Sequence, residues 1–129
     1  MDIINIAATE DTPKIVLDIQ NSICEFSGRS LPEDVVSFYK PVINWLNDFE
    51  KNPIPNTEFV FKLEYFNTAS SKIILDILLK INNVHKTGNT MKIKWCYNEH
   101  DLDLKEAGEE YSELIEFPFE FTSYSQSIS

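Results

Sequence analysis

Two alternating stretches joined by a helical one constrain this chain more than any other feature. Over residues 58–66, Phe59, Phe61, Leu63 and Tyr65 fall on one side of an extended backbone and Val60, Lys62, Glu64 and Phe66 on the other, which is the two-residue period of a strand. A second stretch sets Met91, Ile93, Trp95 and Tyr97 opposite Lys92, Lys94 and Cys96. Between them, beyond residues 67–71, Ile73, Ile74, Ile77, Leu78, Ile81 and Val84 recur every three or four positions to about Lys86, with Gly88 placed to end the helix they predict. Strand, helix and strand in that order predict a parallel, right-handed crossover unit.

The alternation also bears on what covers the sheet. A parallel sheet packed on both faces reads as continuous Val, Ile and Leu, whereas here Lys62, Glu64, Lys92 and Lys94 share one face. The expectation is an open, mixed α/β sheet of about five strands, helices mainly on one face and charged side chains on the other, where cross-strand Glu/Lys pairs can form. Ile15, Leu17 and Ile19 alternate, and residues 22–27 follow Gln20-Asn21, predicting a first hairpin that Gly28-Arg29 breaks. Ser30 and Glu33 have capping-box spacing with Pro32 between them, predicting a helix with Val35, Phe38, Val42, Trp45 and Phe49 on its apolar face. Pro41 inside that pattern predicts a kink or two shorter pieces.

Residues 99–116 carry eight acidic side chains against Lys105 alone, and Leu102, Leu104, Ala107, Tyr111 and Leu114 give them a short, partly helical pattern that Gly108 weakens. Phe117, Phe119 and Phe121 alternate with Pro118 and Glu120, and the proline points to an edge strand. With 129 residues, 43% of them apolar, the chain is read as a single domain over residues 1–129 with a frayed Ser-rich tail from about residue 122.

A net charge of -10 argues against nucleic-acid binding, which relies on Lys and Arg to neutralise phosphates, and against an anionic membrane surface. No apolar run reaches the roughly 20 residues of a membrane helix and no signal peptide is legible, so a cytoplasmic location is expected. Cys24 and Cys96 are far apart and form no CxxC pair, the pattern of reduced thiols.

Catalytic constellations are absent from the sequence. Cys96 and His100 sit four residues apart without the further ligands zinc requires. Asp101 and Asp103 begin like a calcium loop, but Lys105 and Glu106 occupy the next ligand and turn positions. The acidic run reads as a solvated face or as a landing surface for a basic partner. Neither GxGxxG nor GxxxxGKS occurs, and three glycines in the whole chain exclude the common nucleotide cradles. No cofactor and no metal are expected.

The segment Asn67, Thr68, Ala69, Ser70, Ser71, Lys72 lies between the clearest strand and the clearest helix. One reading is structural, with Thr68 or Ser70 capping the helix for about 1 kcal/mol. The other is regulatory. A helix start offers free N–H donors and the positive end of a dipole, which accommodate a phosphate of about -1.5 to -2 charge and let it alter what docks there.

At these residues the sequence resembles the SiaC-type biofilm regulatory phosphoproteins of bacteria, relatives in fold of the STAS-domain anti-anti-sigma factors. The resemblance runs through Thr12-Pro13, Gly28 with Leu31-Pro32-Glu33, Trp45, Tyr65-Phe66-Asn67-Thr68 with Lys72 and Asp76, Lys94-Trp95, and Phe117-Pro118-Phe119-Glu120. It implies a STAS-like sheet and phosphorylation at Thr68 by a dedicated Ser/Thr protein kinase, reversed by a PPM-type phosphatase. It further implies that the unphosphorylated form activates a GGDEF-type diguanylate cyclase and raises cyclic di-GMP, so the chain would be an allosteric activator rather than an enzyme. Ala69 departs from the family, standing where a second hydroxyl is common. Asn67, Thr68, Ala69, Ser70, Ser71 and Lys72 are the expected partner contacts, and a homodimer is left open. Two other readings remain beside it: partner switching against an anti-sigma or other regulatory kinase, and a small metal-dependent enzyme using Cys96, His100 and the acidic run.

Overall fold

The computed structural model describes residues 2–125. Its elements are β1 (Ile4–Ile6), β2 (Lys14–Asp18), β3 (Ile23–Ser30), α1 (Val35–Lys51), β4 (Thr57–Phe66), α2 (Thr68–Lys86), β5 (Met91–Asn98), α3 (Leu102–Leu114) and β6 (Glu120–Tyr124). The six strands form one sheet in sequence order. β1, β2 and β3 are antiparallel neighbours, while β3–β4, β4–β5 and β5–β6 pair in parallel. The mixed sheet agrees with the sequence patterns, and the additional strand is β1, whose three residues are too short to show a period.

Through the middle of the inner face runs one register row, Ile15–Phe26–Phe61–Trp95–Phe121, crossing five strands. Phe26 stacks on Phe61 at 4.8 Å between centroids, and Phe61 on Trp95 at 5.9 Å. Against this aromatic floor α1 presents Tyr39, Val42, Trp45, Leu46 and Phe49, and α2 presents Ile74, Ile77, Leu78, Ile81 and Val84, all buried. Each such side chain contributes about 1.5–3 kcal/mol by leaving water. The opposite face carries the row Val16–Glu25–Val60–Lys94–Glu120, and no Glu–Lys ion pair spans its strands among the described residues.

Several local expectations are corrected. β3 does not break at Gly28-Arg29 but runs on to Ser30, with a register shift at that step. Ser30 is therefore a buried strand residue and not a cap; Asp34 caps α1 instead, its carboxylate accepting from the Ser37 N–H at 3.1 Å. α1 continues through Pro41 as one helix rather than as two pieces; Pro41 and Ser37 both lie on the exposed side, where water can satisfy the Ser37 carbonyl that the proline leaves without a donor. α3 is likewise one helix of 13 residues through Gly108. A Cβ at Gly108 would lie 2.5 Å from Trp95 Cδ1 and Nε1, so the glycine is the price of bringing this helix against the indole. Of the apolar positions that gave this segment its helical pattern, Leu104 and Tyr111 are buried, while Leu102 and Leu114 are exposed. β6 occupies the sheet edge as Pro118 implied, but it extends through Thr122, Ser123 and Tyr124, residues read as the start of the frayed tail. The rest of that tail, residues 126–129, lies outside the described residues.

Candidate functional site

An irregularity in β4 prepares the corner where α2 begins. Gly28 is opposite Leu63 and Arg29 opposite Tyr65, so Glu64 is an extra residue in the ladder. A bulge of this kind reverses the sides on which later side chains fall. Tyr65, expected to point inward with Leu63, is 49% exposed and lies beneath the Arg29 guanidinium at 5.7 Å. Phe66 turns in instead, meeting Trp95 and Tyr111 at 6.4 Å each.

Asn67 follows in extended geometry and caps α2, its Oδ1 accepting from the Ser70 N–H at 2.9 Å. The cap is thus neither Thr68 nor Ser70. Ser70 is fully buried, which removes it from the surface where it was expected to meet a partner. Its hydroxyl belongs to a hydrogen-bonded chain: Ser70 Oγ donates to the Ser30 carbonyl at 2.9 Å, and Ser30 Oγ donates to Ser70 Oγ at 2.9 Å. Tyr39 OH lies 2.7 Å from Ser30 Oγ. Ser30 has a single hydroxyl proton and spends it on Ser70, so Tyr39 must be the donor in that contact. One polar thread thereby joins α1, β3 and α2 below the corner. Burial pushes the Tyr39 phenol up to about 12, opposed in part by its bond to Ser30.

Above this floor Thr68 is the first residue of α2 and is exposed, as are Ala69 and Lys72, while Ser71 is half-buried. Ser71 Oγ donates to the Thr68 carbonyl at 2.7 Å, and Tyr111 OH of α3 donates to the Ser71 carbonyl at 2.8 Å. The first turn contains no acidic side chain, so a negative group on Thr68 meets the N-terminal dipole without a carboxylate beside it in that turn. Of the segment read from sequence, Thr68, Ala69 and Lys72 form the open surface, Asn67 and Ser70 form its support, and Ser71 links the two. Sequence reasoning missed Ser30, Tyr39 and Tyr111. Tyr111 carried a faint signal as an apolar position of the acidic segment; the other two were assigned to a cap and to no role.

The residues of the alternative chemistry are differently placed. Cys96 is buried on the charged face of the sheet, and burial raises its thiol, with Lys94 and Lys62 pulling the other way. His100 has an 87% exposed side chain, 3.3 Å from Glu99. Asp101 caps α3 by accepting from the Leu104 N–H at 3.0 Å. Among the described residues no group of three or more His, Cys, Asp or Glu side chains is positioned to hold a metal ion. A concavity of about 1090 Å³ on the uncovered face is lined by charges of both signs, including Lys14, Arg29, Lys62, Glu25 and Glu64.

Comparison with known proteins covers the chain as a whole. An uncharacterized protein of Pseudomonas aeruginosa (strain UCBPP-PA14) is 29% identical over 126 residues, covering 98% of this chain and all of the relative. The crystal structure of apo-SiaC from Pseudomonas aeruginosa superposes with a TM-score of 0.88 at 30% identity, over 95% of this chain and 100% of that one. SiaC as seen in the crystal structure of the diguanylate cyclase SiaD in complex with its activator SiaC, also from Pseudomonas aeruginosa, gives 0.88 at 30% identity, over 94% and 99% of the two chains. The pattern of the SiaC family regulatory phosphoprotein matches residues 6–124, and the chain belongs to that family.

Proposed function

We propose that this chain is a phosphorylation-switched activator of a diguanylate cyclase, active when Thr68 carries a free hydroxyl. The observation that carries the reading is the exposure of Thr68 as the first residue of α2, on a support that is itself fully hydrogen-bonded. A kinase can reach this hydroxyl without opening the core. The phosphate it adds is favoured by the helix dipole, and Lys72 stands one turn further along. The fold therefore tolerates both states, and what differs is the charge offered to a partner. A related activator of the same fold has been crystallised with its cyclase.

On this reading the protein binds and biases another enzyme and performs no chemistry itself. Its partners are an ATP-dependent Ser/Thr protein kinase, a PPM-type phosphatase and a GGDEF-type cyclase, all acting in the cytoplasm where ATP and GTP are available. Thr68→Ala is expected to keep cyclase binding and activation, and Thr68→Asp to lose both, measured with purified proteins and cyclic di-GMP production. Mass spectrometry after incubation with the kinase should place phosphate on Thr68. Equal activation by the two variants, or phosphate elsewhere with Thr68 untouched, defeats the reading.

A further inference from the structure

β6 forms one edge of the sheet, and among the described residues no strand lies on its outer side. The opposite edge, β1, is three residues long, whereas β6 offers the five residues from Glu120 to Tyr124 with no lysine, proline or register shift among them. Short strands, lysines, prolines and bulges are what ordinarily keep a sheet edge from pairing with another chain. The Tyr124 carbonyl accepts from the Glu99 N–H at 2.9 Å, so the peptide groups of Tyr124 face β5. By alternation those of Thr122 and Glu120 do the same, and Phe121 and Ser123 turn their N–H and C=O groups to the open edge. Side chains alternate as well: Phe121 stands opposite Trp95 in the inner-face row, which puts Glu120, Thr122 and Tyr124 on the uncovered face.

We propose that β6 pairs antiparallel with β6 of a second copy of this chain, across a two-fold axis at Thr122, joining two six-stranded sheets into one. In that register Phe121 of each copy lies opposite Ser123 of the other, and the two residues with outward peptide groups exchange N–H···O=C bonds. A large side chain meets a small one there, and Thr122 meets Thr122, a favourable cross-strand pair.

Charge fixes both the occupant and the register. Glu120 of one copy lies opposite Tyr124 of the other in a non-hydrogen-bonded pair, with Cα atoms about 4.5 Å apart. The ring of Tyr124 carries the Lys62 ammonium at 4.8 Å from its centroid, and Lys62 takes part in no ion pair among the described residues. The Glu120 carboxylate of one copy therefore arrives beside Lys62 of the other, and the two-fold axis repeats the contact. An axis moved to Phe121 would bring Pro118 into the ladder and set Glu120 against Thr122, losing that match. Two chains of net charge -10 repel, but at physiological salt the repulsion fades beyond about 8 Å.

The test is sedimentation of the full chain at physiological salt, from about 1 μM to 1 mM. The parent should move with rising concentration towards twice the mass of one chain. Ser123→Pro removes an N–H of the open edge without touching the β5 ladder, so it should leave the circular dichroism unchanged and the chain monomeric. Each substitution counts twice in a symmetric pair, so Glu120→Lys should raise the dimer dissociation constant about tenfold, and adding Lys62→Glu should restore it. Should Ser123→Pro fail to fold, the two charge variants decide alone, because both change exposed side chains. A parent chain that stays monomeric, a dimer that keeps its affinity in Glu120→Lys, or a double variant no tighter than the single one overturns the proposal.

Discussion

Ser70→Ala should destabilise this protein more than Tyr39→Phe, although both remove one oxygen from a buried position. In the thread described above, Tyr39 donates to Ser30, Ser30 to Ser70, and Ser70 to the Ser30 carbonyl. Removing the phenol oxygen deletes the first donor and leaves both serine hydroxyls still donating, a loss of about 1 kcal/mol or less. Removing Ser70 Oγ deletes two hydrogen bonds. The Ser30 carbonyl keeps the Asn67 N–H at 3.3 Å, but the Ser30 hydroxyl proton has only the Tyr39 oxygen left to approach, which displaces the Tyr39 proton in turn. Either way one buried O–H is stranded, for about 2 kcal/mol. With a urea m-value of about 1.5 kcal/mol/M for a chain this size, the midpoint falls by about 1.3 M for Ser70→Ala and by no more than about half of that for Tyr39→Phe. Trp45 and Trp95 are both buried, so their fluorescence follows the transition. A Tyr39→Phe loss equal to or larger than that of Ser70→Ala would refute the assigned direction of the hydrogen bonds.

Two further outcomes concern stability. Gly108→Ala normally gains about 1 kcal/mol inside a helix, but here the new methyl meets an indole that is 1% exposed and pinned by its Nε1–H to the Leu104 carbonyl at 3.0 Å; overpacking of about 1–3 kcal/mol prevails, so urea unfolding should show a net loss, and a more stable variant would contradict the close contact. Burial raises the Cys24 thiol from 9.0 to about 12, and the Tyr39 and Tyr111 phenols from 10.0 to about 12. The unfolded chain sheds these protons first, so the stability they contribute is whole below pH 9 and declines as pH rises from there towards 12. The Cys96 thiol, also raised by burial, adds to the decline from near 9, so unfolding followed in pH steps should show an onset near 9 in the parent and nearer 10 in the Cys24→Ala/Cys96→Ala double variant; an onset that does not move would dissociate it from the thiols.

The parts of the fold legible in the sequence were those with a full period to display. The ten residues of β4 and the nineteen of α2 repeat their patterns often enough to be read, and the hairpin of β2 and β3 announced itself by the same means. What escaped were single events. The extra residue at Glu64 leaves composition and spacing unchanged yet reverses Tyr65 and Phe66. The Ser30–Glu33 spacing satisfies a capping rule, but Asp34 lies nearer the true start of α1, and Ser30 is withdrawn by pairing with β4. Gly108 read as a weakness of its helix because its reason is Trp95, in another element. At the site, position was legible and depth was not: Thr68 and Ser70 are two residues apart on the same turn, and only the rotation of α2 against β3 leaves one in water and the other at 0% exposure.

The sheet order has a consequence for how the molecule comes into being. Every strand lies beside the one made just before it, from β1 at one edge to β6 at the other, so no strand has to be threaded between two that have already met. A ribosome releasing this polypeptide delivers each strand to a neighbour that already exists, and the β-sheet can grow by accretion in the direction of synthesis.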